Sequence, residues 1–217
     1  MLQAILFDLD GALAITDPIH FLIWGKLLRD YGLDIDESFF QQHISGRLNL
    51  DILQDLLPQL SPEEKQQFSL TKEARFRETA KGRLQPLPGL LPLIDWIKRQ
   101  GMPSAIVTNA PRPNAEFMLQ TLKLDQTFDL VIISGDLPLG KPDPLPYQEA
   151  LRRLDLTPEQ GVVFEDSPAG IRAAVAAGIT TIGIASTHGP DKLYALGAKL
   201  VVADFTDERL KQLGLMN

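Results

Sequence analysis

Two aspartates, Asp8 and Asp10, stand two residues apart at the end of the apolar run Ala4-Ile5-Leu6-Phe7, and Gly11 follows them. Four apolar residues in succession read as a strand buried on both faces. Along an extended strand, residues i and i+2 point to one face, so both carboxylates can be aimed at one spot. Two acids emerging together from a buried strand repel each other and resist desolvation. A divalent cation offsets that cost, and oxygen donors suit Mg²⁺. The same pair also fits a plain polar turn. A calcium loop of the EF-hand type does not fit, because its fifth and twelfth positions fall on Ala12 and Ile19.

Composition narrows the remaining chemistry. At 217 residues, 44% hydrophobic and 23% charged, the chain reads as an ordinary globular protein with one large domain or two small ones. A net charge of −7 argues against a nucleic-acid partner. No apolar run has the length of a membrane span, and no signal-peptide pattern opens the chain, so a cytoplasmic location without membrane contact is expected. The absence of cysteine excludes disulfides, a thiol nucleophile and cysteine metal sites. His20, His43 and His188 lack zinc-site spacing. No apolar surface stripe announces a dimer, and a monomer is expected.

The positioning elements follow from periodicity. From Asp17 to about Gly82 the chain reads as helical. Trp24, Leu27, Leu28 and Tyr31 recur at helical spacing, as do Ile52, Leu53, Leu56 and Leu57. Ser61-Pro62-Glu63-Glu64 reads as a helix start. The charged run Lys72–Glu78 reads as a solvated helix face, part of which could line a cleft. Gln85-Pro86-Leu87-Pro88-Gly89 reads as a return linker. Strands are then expected at 104–108, 130–133, 162–164, 180–184 and 200–202. Helices are expected to end near Gly101 and to cover about 113–122, 144–154, 168–177 and 206–213. Alternating strands and helices imply parallel βαβ units. The fold expected is α/β: a doubly wound, Rossmann-like parallel-sheet core over residues 1–16 and 83–217, with an all-helical cap over 17–82 inserted after the first strand. Neither a GxGxxG turn nor a GxxxxGK[ST] loop is present.

Ligands of open α/β sheets bind beyond the carboxyl ends of the strands. The residues expected there are Asp8 and Asp10, Thr108 and Asn109, Lys141 in a Gly-Lys-Pro turn, and Glu165 with Asp166. Each has a dull alternative as a cap or loop residue, but convergent polar groups mark a site.

Four segments in order, Phe7-Asp8-Leu9-Asp10-Gly11, Val107-Thr108-Asn109, Gly140-Lys141-Pro142 and Phe164-Glu165-Asp166-Ser167, resemble the signatures of the haloacid dehalogenase-like superfamily. Glu165–Ile171 with Ala173-Ala174 resembles the branch that holds β-phosphoglucomutase and related sugar-phosphate phosphatases. The resemblance covers nearly the whole chain. It implies a nucleophilic Asp8, a general acid–base Asp10, phosphate contacts from Thr108 and the Asn109 main chain, and charge neutralisation by Lys141. It also implies Mg²⁺ held by Asp8, the Asp10 carbonyl and Asp166, with Glu165 in support. His20, Gly46 and Arg47 match cap positions that face substrate in relatives; His43 and Asn49 are further candidates. Ala12 stands where the family usually has Thr or Val, and Ile15 where this branch commonly carries Asp, which bears on Asp10 positioning and cap coupling. The activity implied is a phosphatase acting on a small phosphorylated metabolite through an aspartyl-phosphate. A phosphomutase and a non-catalytic binding module are the alternatives.

Overall fold

The computed structural model describes residues 2–216. Its core is one six-stranded parallel sheet in the order β3-β2-β1-β4-β5-β6. The strands are β1 (Ala4–Phe7), β2 (Ser104–Thr108), β3 (Leu130–Ile133), β4 (Gly161–Glu165), β5 (Thr180–Ile184) and β6 (Leu200–Val202). Helices α5 (Leu90–Gln100), α6 (Arg112–Thr121), α7 (Leu145–Leu154), α8 (Pro168–Ala176) and α9 (Pro190–Ala195) connect them.

Side-chain alternation along β1 builds the two layers. Ile5 and Phe7 join Leu93, Ile97 and Met118 of α5 and α6. Ala4 and Leu6 join Tyr147, Leu151 and Ala174 of α7 and α8 on the opposite face. Phe7 stacks on Phe164 of β4 at a ring separation of 5.3 Å, and the Phe205 ring meets Phe164 edge-on at 5.0 Å. Because β1 lies between β2 and β4, the topology switches there and opens a crevice at its carboxyl end.

The chain between β1 and α5 forms α1 (Asp17–Arg29), α2 (Glu37–His43), α3 (Asn49–Leu56) and α4 (Pro62–Ala80). Ser61 opens α4 with a capping box: its hydroxyl accepts from the Glu64 N–H at 3.2 Å, and the Glu64 carboxylate accepts from the Ser61 N–H at 2.8 Å. The outgoing and returning linkers touch, with the Leu87 N–H donating to the Leu13 carbonyl at 2.8 Å.

Several expectations are corrected. Tyr31 lies beyond the end of α1 and is exposed, because the chain turns at Asp30 and leaves the buried stripe at Ile23, Trp24, Leu27 and Leu28. The closing segment is a 3-10 helix, Glu208–Leu213. Helices α2 and α9 are short and carry too few turns for a periodic signal. The charged run of α4 is not uniformly solvated: Lys72 and Glu73 are buried and Phe76 is fully enclosed.

Candidate active site

At the carboxyl end of β1 the chain turns sharply, with the Gly11 N–H donating to the Ala14 carbonyl at 2.8 Å. Gly11 has φ +80°, and a Cβ there would collide with the Asp166 carboxylate. Only glycine fits both the left-handed backbone and the acid beside it.

Asp8, buried at the mouth of β1, accepts from Lys141 Nζ through Oδ1 at 2.7 Å. The same ammonium donates to Glu165 Oε1 at 2.6 Å. Glu165 is fully buried at the end of β4 and also accepts from the Tyr147 hydroxyl at 3.0 Å. Its other oxygen accepts from the N–H groups of Asp166 and Ser167 at 3.0 and 3.2 Å and from the Ser167 hydroxyl at 3.2 Å. Gly170 permits this approach, since a Cβ there would occupy the space of the Glu165 carboxylate. Glu165 therefore fixes Lys141 and the turn into α8.

Asp166 is held on one side, where Thr187 Oγ1 donates to Oδ2 at 2.6 Å. Its Oδ1 is buried and has no hydrogen-bond partner among the described residues. Asp8, Glu165 and Asp166 each place a carboxylate oxygen within 4.8 Å of the others. Burial pushes the Asp8 carboxyl well above the usual range, against the pull of Lys141. Burial and the charges of Asp8 and Glu165 do the same to Asp166. Burial opposes the Lys141 charge, yet the attraction of Asp8 and Glu165 exceeds it and raises the ammonium as well. A buried acid oxygen without a donor, in a cluster of three carboxylates and one ammonium, fits a hard divalent cation such as Mg²⁺.

Asp10 turns toward the cap, where His20 Nε2 lies 3.2 Å from its Oδ1. Burial opposes the Asp10 charge, yet the His20 contact, together with Thr16 and Lys72, outweighs it and lowers the carboxyl. His20 stacks on Phe76 of α4 with ring centroids 4.2 Å apart. Thr108 is buried at the end of β2, and its hydroxyl accepts from the Ala110 N–H at 2.9 Å. The Asn109 side chain braces the lysine loop in both directions: it donates to the Lys141 carbonyl and accepts from the Lys141 N–H, each at 3.1 Å.

These groups line one cleft of about 770 Å³, its mouth included, between the sheet edge and α1–α4. Asp8, Asp10, Thr108, Asn109, Lys141 and Asp166 face it from the core. His20, Gly46, Arg47 and Asn49 face it from the cap. Glu165 lies behind the wall, and His43 is exposed away from the cleft. Ile15 is 49% exposed and is not a lining residue, while Ala12 is fully buried. The Arg47 guanidinium donates to Asp55 at 2.6 Å and to the His43 carbonyl at 2.9 Å.

Sequence reasoning missed Asp17 and Asn114, and gave Lys72 and Glu73 only as members of a charged run part of which could line a cleft; all four line it. For Lys72 a signal existed: Phe68, Lys72, Phe76 and Ala80 recur every fourth residue, and all are buried. A lysine within an apolar stripe faces inward with the stripe. For Asn114, in the first turn of α6, no local pattern points to the cleft.

A family model described as haloacid dehalogenase-like hydrolase matches residues 5–184. The chain belongs to this family. It is 31% identical over 214 residues to a validoxylamine A 7'-phosphate phosphatase of Streptomyces hygroscopicus subsp. limoneus, covering 99% of each chain. It is 32% identical to a phosphorylated carbohydrates phosphatase of Thermotoga maritima, covering 83% of this chain and 84% of that protein. Among solved structures, CbbY from Rhodobacter sphaeroides in complex with phosphate superposes with a TM-score of 0.84 at 28% identity, over 95% of this chain and 96% of the other.

Proposed function

We propose that this hydrolase is a Mg²⁺-dependent phosphatase that cleaves a monophosphorylated sugar or related polyol through an aspartyl-phosphate on Asp8. It is a phosphoric monoester hydrolase, as its family and its phosphatase relatives indicate. The observation that carries the reading is the buried Asp8–Lys141–Glu165 chain beside the partnerless oxygen of Asp166.

Asp8 attacks phosphorus, the bond to the leaving oxygen breaks, and Asp10 gives that oxygen its proton. Water then attacks the phosphorus of the aspartyl-phosphate, Asp10 takes up its proton, and the Asp8 carboxylate is released. His20 holds the Asp10 carboxyl in place. Lys141 keeps Asp8 oriented and neutralises the phosphoryl oxygens, with Thr108 and the Asn109 main chain as further donors. Asp8 and Asp166 would hold Mg²⁺, with the Asp10 carbonyl and Glu165 in support; bound there, it offsets the repulsion between nucleophile and phosphate.

Phosphatase is preferred to mutase because Arg47, the cap guanidinium suited to a second phosphate, is paired with Asp55. The test is phosphate release from a panel of sugar and polyol monophosphates, with and without Mg²⁺, and with glucose 6-phosphate formation from β-glucose 1-phosphate followed alongside. Metal-dependent release from a subset is expected. Isomerisation outrunning release would replace the reading with a mutase.

A further inference from the structure

Asn114 stands in the first turn of α6, on the core side of the cleft, and only 2% of it is exposed. Its carboxamide is engaged at both ends by one cap helix. The Nδ2 group donates to Glu73 Oε2, and Oδ1 accepts from Arg77 Nη1 at 2.6 Å. Glu73 and Arg77 lie one turn apart on α4, so a single amide spans an acid and a base presented by the same helix face. Glu73 Oε1 accepts from Lys72 Nζ at 2.8 Å and from Asn49 Nδ2 at 2.5 Å, and Asn49 also reaches Ser69 at 3.0 Å. The network thus runs from the core through α4 to α3. Its members Lys72, Glu73, Asn49 and Asn114 all line the cleft.

We propose that Asn114 is a positioning residue: an amide latch that fastens the cap to the core and, through Glu73, sets Lys72 and Asn49 against the leaving group. The assignment of a leaving group to the part of the cleft that these residues line rests on the phosphatase reading above. An amide is suited to the task, because Arg77 requires an acceptor and Glu73 a donor, and Asn supplies both from one planar group. Charge-assisted at both ends and buried at the Glu73 end, these bonds hold the cap only when each has its partner.

The test is Asn114→Asp alone and combined with Glu73→Gln. Aspartate keeps an acceptor for Arg77 but sets a carboxylate against Glu73. In the double variant the introduced glutamine donates to the introduced aspartate, accepts from Asn49 through its carbonyl, and restores the charge balance. With the best sugar phosphate of the panel and Mg²⁺, N114D is expected to lower kcat/KM by about tenfold or more. The loss should lie mainly in KM, with hydrolysis of acetyl phosphate, which offers little to the cap, changing less than about threefold. The double variant is expected to recover most of the loss. Hydrogen exchange of the intact protein supplies a readout independent of turnover: α1–α4 amides should exchange faster in N114D, β1 and β4 amides should not, and the double variant should revert. Unchanged KM and unchanged exchange in N114D would overturn the latch, as would equal losses on both substrates without rescue. A wild-type enzyme inert on every ester would remove the phosphatase reading and leave the latch to be judged by exchange alone.

Discussion

Gly46 of the cap sits directly over Ser167 of the core: a Cβ on Gly46 would stand 2.7 Å from the Ser167 Cβ. Its backbone φ of +73° adds a second reason for glycine. Ser167 in turn caps α8 and donates to Glu165, so this cap contact rests on the residue that braces the acidic cluster. Gly46→Ala is expected to cost about 1–2 kcal/mol from backbone strain and to keep the cap from closing. Activity on the sugar phosphate should fall about tenfold while β1 and β4 amides retain their exchange protection. Wild-type kinetics in G46A would mean that closure does not bring Gly46 and Ser167 together during turnover.

Asp8→Asn removes the proposed nucleophile while keeping an acceptor for Lys141. Phosphate release should drop by about 10⁴-fold or more, and no acid-stable, base-labile phosphoryl adduct should form on the protein. Substantial residual hydrolysis would take Asp8 out of the nucleophile role.

Binding of Mg²⁺ to the folded state alone should stabilise the enzyme. At a concentration one hundred times its Kd the gain is about 2.7 kcal/mol, a rise in melting temperature of about 5–10 °C for a chain of this length. Asp166→Asn should abolish most of that shift. Equal Mg²⁺ stabilisation in D166N would place the cation elsewhere.

Glu73 sets a pH dependence. Burial opposes its charge, but Lys72 and His20 and the hydrogen bonds from Lys72 and Asn49 outweigh burial and lower its carboxyl below the ordinary glutamate range. A folded-state value below the unfolded one means that the unfolded chain binds the proton first, so stability rises with pH across that window. The contribution of Glu73 is complete above the ordinary range, about pH 4–5, and is lost as the pH falls through the folded value. The stability gap between wild type and Glu73→Gln, followed by denaturant melts, should therefore be widest near neutrality and shrink in acid. A gap that widened in acid would contradict the pairing.

Asp55→Ala should free the Arg47 guanidinium, whose pairing is half exposed. Inhibition by a sugar bisphosphate is expected to strengthen about three- to tenfold, with the parent monophosphate little affected. No change would show that Arg47 does not reach the distal end of a bound ligand.

The strands were legible because each holds a short apolar run that a polar residue closes or follows within two positions, as Ser104–Thr108 and Ala4–Phe7 before Asp8 illustrate. Much of the core side of the cleft was legible for the same reason, since Asp8, Asp10, Thr108, Asn109 and Asp166 sit at or just beyond the ends of those runs. The cap half was not. Its contacts come from side chains distant in sequence, such as Glu73 with Asn114 or His20 with Asp10, and helical periodicity says which face is buried without saying against what. Lys72 shows the difference: charge read its run as a solvated face with part left to line a cleft, whereas its register with Phe68 and Phe76 places it inside.

The hydrogen bond from Leu87 to Leu13 ties the cap's exit and entry together at one point beside β1. To the sheet, the whole of α1–α4 is a detour that begins and ends in the same place. A detour of that kind costs the core only its loop closure, which grows slowly with length. On the proposed function, exchanging everything between those two leucines is expected to rewrite leaving-group preference, while Asp8 and Asp10 stay where β1 puts them. A chimera joined at Leu13 and Leu87 is the natural unit for transplanting specificity.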